Sequence, residues 1–77
     1  MELTVKFTWY DDEKIWLATS SNEKFGLVLD HGSFDALLER VQTAMYDIAE
    51  HELNYNGEVK IKIEMERTVS IDVEVSA

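Results

Sequence analysis

The chain has 77 residues, 45% hydrophobic and 30% charged, with 16 acidic side chains against 7 basic ones, no cysteine and no proline. A chain this short buries only about 60% of the surface it exposes when unfolded, which leaves room for one domain with a thin core and none for a deep catalytic cleft. The missing cysteines exclude a disulfide framework, thiolate-bound zinc, iron–sulfur clusters and thiol nucleophiles, and the net charge of -9 disfavours direct binding of nucleic acid, whose phosphates require Lys and Arg.

The same charge suits a basic protein partner. Met1 to Phe7 carries neither a basic leader nor an unbroken apolar run, and no segment approaches the roughly 20 apolar residues of a membrane span. A cytoplasmic protein with no membrane contact and no cofactor is expected.

Leu3, Val5, Phe7 and Trp9 alternate with Thr4, Lys6 and Thr8, the period of a half-buried strand. The acidic run Asp11-Asp12-Glu13 then predicts a turn, and Ile15-Trp16-Leu17-Ala18-Thr19 returns as the second strand of a hairpin. A loop of odd length places Ile15 and Leu17 with Phe7 and Trp9, and sends Tyr10, Trp16 and Ala18 to the opposite face. Loop parity therefore decides whether Trp16 lies on an open sheet face or in the core.

Ser20 to Lys24 is polar and reads as a loop, and Phe25-Gly26-Leu27-Val28-Leu29 reads as a short third strand ended by Asp30-His31-Gly32. Ser33 is placed as the N-cap of a helix with apolar residues at Phe34, Leu37, Leu38, Val41, Ala44, Met45, Ile48, Ala49 and Leu53. These positions cover about half the helix circumference, enough to pack on one sheet face. Glu52 falls within the stripe, so the last turn is expected to overhang the sheet edge. Asn54-Tyr55-Asn56-Gly57 stops the helix.

Beyond Gly57 the alternation resumes, with Val59, Ile61, Ile63 and Met65 on one parity and Val69, Ile71, Val73 and Val75 continuing it past Arg67. A hairpin turning at Glu66-Arg67-Thr68 pairs Met65 with Val69, Ile63 with Ile71 and Ile61 with Val73, and sets Lys62 against Asp72 and Lys60 against Glu74. Such loops favour a glycine, and none is present. One long strand crossing to a second subunit keeps the same parity. The expected architecture is a two-layer, partial ribonuclease-H-like α+β domain over residues 1–77, in the order β-β-β-α-β with a fifth strand where the hairpin forms, one helix on a mainly antiparallel sheet.

Acidic residues are the abundant reactive type, so an enzyme of this composition would be a metal-dependent hydrolase or use a carboxylate pair. The element order matches the front half of a ribonuclease-H-like fold, whose two-metal site draws a carboxylate from the first strand. None stands between Leu3 and Trp9. A minimal nuclease using Asp11, Asp12 and Glu64 is the enzymatic alternative. Asp11-Asp12-Glu13 lacks the spacing and the glycine of a calcium loop. His31 and His51 have no nucleophile or second histidine at a diagnostic spacing, and Asp47 with His51 reads as a surface pair at the helix end. On the odd-loop register, Tyr10 and Trp16 form an exposed aromatic anchor for a protein partner.

The stretch Thr4 to Leu53 resembles the HicB-like antitoxin domains, and in particular a short uncharacterised group related to them. Trp9-x-Asp11-Asp12-Glu13, Ile15-Trp16-Leu17-Ala18-Thr19-Ser20, Gly26-Leu27-Val28 and Ser33-Phe34-Asp35-Ala36-Leu37-Leu38-Glu39 carry the likeness. The resemblance implies a partial ribonuclease H fold without an active site, whose role is to mask a small basic toxin that cleaves messenger RNA. Phe25 stands where the family often has proline, and no DNA-binding segment of the longer members follows the helix. The expected function is thus a noncatalytic protein-binding module with contacts at Tyr10, Asp11, Asp12 and Trp16. Alternatives are an orphan homodimeric domain, joined through the open sheet face or the last strand, and the minimal nuclease.

Overall fold

In the first strand, β1 (Glu2–Tyr10), the alternation has its expected result: Leu3, Val5 and Phe7 are buried, and Thr4, Lys6 and Thr8 face the other way. The computed structural model describes residues 1–20, 22 and 26–75. The loop expected over Ser20 to Lys24 falls largely outside these residues, as does Phe25. The next strand, β2 (Ile15–Ser20), runs antiparallel to β1, and β3 (Leu27–His31) runs antiparallel to β2.

The odd-loop register is overturned. Tyr10 pairs with Ile15, so Asp11, Asp12, Glu13 and Lys14 all belong to the turn, and Trp16 lies opposite Trp9 and Ala18 opposite Phe7. Lys14 supplies the fourth turn residue by adopting the left-handed conformation, at φ 57°. One more turn residue than an odd loop moves every side chain of β2 to the other face. Trp16 (8% exposed) and Ala18 therefore enter the core, while Ile15 and Leu17 turn outward with Tyr10. Packing accounts for the choice. The Trp16 ring lies 5.3 Å from those of Trp9 and Phe34, and Phe34 lies 4.9 Å from Phe7, a cluster worth more than its buried area alone.

Ser33 caps the helix α1 (Phe34–Asp47) as expected, its side chain accepting from the Ala36 N–H at 3.3 Å. His31 prepares this start: its Nδ1 accepts from the Ser33 N–H at 2.9 Å. Leu37, Val41, Met45 and Ala49, each four residues apart, form the buried row of the helical segment, the first three in one core with Leu3, Val5, Phe7 and Ala18. Past Asp47 the coil widens into a single π turn over Ile48–Glu52, marked by the Leu53 N–H donating to the Ile48 carbonyl at 3.0 Å. Widening a turn re-phases the residues that follow. Ala49 stays buried, Leu53 remains half-buried, and Glu52, which regular periodicity places in the apolar stripe, is exposed. Asp47 and His51, expected as a surface pair, are both exposed and form no ion pair; the π turn that holds His51 begins directly after Asp47.

Asn54 (φ 49°) and Gly57 (φ 139°) turn the chain back toward the sheet. The last strand, β4 (Lys60–Glu66), pairs parallel with β1, with Leu3 opposite Ile61, Val5 opposite Ile63 and Phe7 opposite Met65. The sheet order is β3-β2-β1-β4, a two-layer α+β arrangement with helical cover on one face only. The expected C-terminal hairpin is not formed: residues 67–75 carry no strand and lie exposed beyond β4. They give the molecule its extent of 64 × 19 × 19 Å.

Candidate protein-binding surface

Since the helix covers one face of the sheet, the side chains of the other have no protein layer above them. Tyr10, Ile15, Leu17 and Val28 stand on that face, among Thr4, Thr8 and Thr19. Tyr10 is 45% exposed and Val28 72%, whereas Ile15 and Leu17 are half-buried by their neighbours. Large apolar groups on an uncovered face, rimmed by polar ones, are the composition of a protein contact.

The acidic turn adjoins the Tyr10 end of this face. Asp11 is held in place: its Oδ1 accepts from the Lys14 ammonium at 3.0 Å and from the Trp9 indole N–H at 3.3 Å. Lys14, and then Trp9, hold the Asp11 carboxyl below its ordinary value. Asp12 and Glu13 next to it are exposed. Lys14 neutralises one acid of the turn and leaves two carboxylates facing solvent.

Of the expected contact residues, Tyr10 stands on the open face and Asp11 and Asp12 follow it in the turn at its end, the Asp11 carboxylate engaged by Trp9 of the helix side. Trp16 does not join them. It lies across the sheet in the aromatic cluster, and Ile15 and Leu17 occupy the face assigned to it. Their alternation with Trp16 was readable; the parity of the turn was not.

The carboxylates of the enzymatic alternative do not converge. Glu64 pairs with Lys6 on β4, five strand positions from Asp11, and at about 3.3 Å per residue this separates the two by roughly 16 Å. Metal ions in a two-metal site lie only about 4 Å apart. Among the described residues, no group of three or more His, Asp or Glu side chains is placed to hold a metal ion. No helix among them is long and apolar enough to cross a membrane.

No curated protein and no solved structure matches the chain. One family model does, over residues 2–75, and it is described as a domain of unknown function, DUF1902. The match spans both the acidic turn and the open-face residues around it, and the chain belongs to that family.

Proposed function

We propose that the chain is a noncatalytic protein-binding module, an antitoxin-like protein that masks a small basic RNA-cleaving partner in the cytoplasm. The observation that carries this is the uncovered sheet face: Tyr10, Ile15, Leu17 and Val28 provide apolar anchorage, and Asp12 and Glu13 stand unneutralised at its end. Apolar contacts supply the binding energy of such a surface, while complementary charge steers the encounter and selects the partner. The net charge of -9 acts in the same sense. The likeness of residues 4–53 to HicB-like antitoxins supports the choice of a basic RNA-cleaving protein.

The test is capture by the tagged chain from its own cell lysate at low and high salt, beside a Leu17→Lys variant. The expected result is a small basic protein retained by the wild type at low salt, released near 1 M salt, where the Debye length is about 3 Å, and not retained by the variant. Purified, that protein should cleave RNA alone and not in an equimolar mixture with the chain. Identical capture by both chains, or a captured protein whose RNA cleavage the chain leaves unchanged, overturns the proposal.

A further inference from the structure

The segment after β4 is the largest departure from a packed monomer. Val69, Ile71, Val73 and Val75 are 72%, 79%, 76% and 90% exposed. They alternate strictly with Ser70, Asp72 and Glu74, a pattern that requires one face to be buried. The radius of gyration is 16.3 Å, against about 11–12 Å for a compact chain of this length. The arm finds no cover on its own body.

An acceptor of matching pattern lies beside it. β4 is a sheet edge, paired to β1 on one side only. Its helix-side residues Ile63 and Met65 are 41% and 58% exposed, because no further strand flanks them. A groove runs between this edge and the helix, with Leu38, Met45, Tyr46, Ile61 and Ile63 in its walls. Residues 67–75 reach roughly 30 Å when extended, more than the length of β4.

We propose that two copies of this chain exchange their C-terminal arms, each arm pairing antiparallel with β4 of the other copy about a two-fold axis at Arg67. Every copy then carries both the donor strand and the acceptor edge, as a closed two-fold interface requires. With Arg67 at the axis, Met65 meets Val69 of the second copy, Ile63 meets Ile71 and Ile61 meets Val73, so the exposed apolar row of the arm covers the exposed apolar row of the edge.

Charge selects this register. Lys62 then faces Asp72 and Lys60 faces Glu74 of the second copy, four opposite-charge pairs in the dimer by symmetry. Moving the axis to Glu66 sets Glu58 against Glu74 and the two copies of Glu66 against each other. Moving it to Thr68 sets Glu64 against Asp72. Like charges directly opposite are destabilising. In the selected register Glu66 keeps its Lys6 partner at 2.7 Å, and the two Arg67 copies meet on the axis at the backbone while each guanidinium lies 5.0 Å over the Trp9 ring of its own chain.

The same pairs would arise in an intrachain hairpin. That hairpin must close through Glu66-Arg67-Thr68, a three-residue loop with no glycine for its left-handed position. Opening the loop and handing the strand to a second copy keeps every pair and removes the turn.

Light scattering on the full chain is expected to give a mass of twice 8.9 kDa, independently of the Leu17→Lys change that tests the open face. Register is tested with Arg67→Cys, which introduces the sole cysteine of the chain. On the two-fold axis its copies lie about 4.5–5.5 Å apart at Cα, within disulfide range, and should join two chains on mild oxidation. Thr68→Cys, whose copies lie diagonally about 7–8 Å apart, should remain largely unlinked. Lys62→Glu should weaken the dimer about tenfold or more, and adding Asp72→Lys should restore it. A monomeric mass at every concentration overturns the proposal, as does a dimer in which Arg67→Cys links no faster than Thr68→Cys. Neither outcome bears on partner capture by the open face.

Discussion

At the scale of single residues, Trp16 shows what one side chain's direction decides. Buried between Trp9 and Phe34, it contributes to stability and not to the outer surface. Trp16→Ala should therefore cost about 3–5 kcal/mol, the range for deleting a buried aromatic, whereas changes at exposed positions usually stay within about 0.5 kcal/mol. Urea denaturation of the two chains checks this. Glu66 makes a second residue-scale case. Its hydrogen bond and charge contact with Lys6 hold its carboxyl below the ordinary value of 4.5, and the same contact raises Lys6 above 10.5. The contribution of Glu66 is then present above pH 4.5 and is lost as pH falls through its folded value. That of Lys6 is present below 10.5 and is lost as pH rises through its own. An NMR titration should place the Glu66 midpoint below 4.5 and return it to 4.5 in Lys6→Met. An unchanged midpoint in that variant would refute the pairing.

Elements begin and end here through a few side chains whose removal has defined costs. The Ser33 hydroxyl satisfies the Ala36 N–H at the start of α1, and Ser33→Ala should destabilise the fold by about 0.5–2 kcal/mol. Thermal unfolding provides the comparison, with Asp35→Ala, one residue along the same first turn, as the reference. At the other end Gly57 adopts φ 139° with the Tyr55 hydroxyl 3.2 Å from where a Cβ would stand. That hydroxyl donates to the Glu58 carbonyl, and the N-terminal ammonium donates to both. Gly57→Ala should destabilise by more than about 1 kcal/mol, since it forces a side chain onto a conformation that only glycine takes freely, and it should loosen the joint between the start of β1 and β4. Hydrogen exchange at the Lys60 amide, which donates to the Met1 carbonyl at 2.8 Å, would report that loosening.

For the whole molecule, one helix over a four-stranded sheet leaves uncovered, among the described residues, the outer sheet face, the two edge strands β3 and β4, and the C-terminal arm. The β4 edge and the arm complement one another, and the outer face carries the contacts proposed for a second protein. If arm exchange contributes to folding, stability depends on association by mass action. The midpoint of urea unfolding should rise with chain concentration, and a midpoint constant over a hundredfold range would contradict it.

The order of the elements, the N-cap at Ser33, the apolar row of the helix and the stop near Gly57 were legible in the sequence, because each rests on local periodicity or on the chemistry of one residue. The alternation of Ile15-Trp16-Leu17-Ala18 was equally plain, yet its direction was not. That depended on whether Lys14 would enter the turn, a choice decided by the packing of Trp16 against its hairpin partner Trp9 and against Phe34 of the helix. The π turn likewise resolves a conflict that periodicity alone displays at Glu52, by re-phasing the last residues on the sheet edge. Of the candidate site, the acidic turn and Tyr10 could be read in advance, while Ile15 and Leu17 could not. The sequence by itself determined the strands β1 to β4, the helix and the apolar side of the arm, but not that the arm forms no strand of its own chain. Only the tertiary structure decided which face each strand presents and that the arm lies uncovered, since both depend on contacts between segments far apart in the chain.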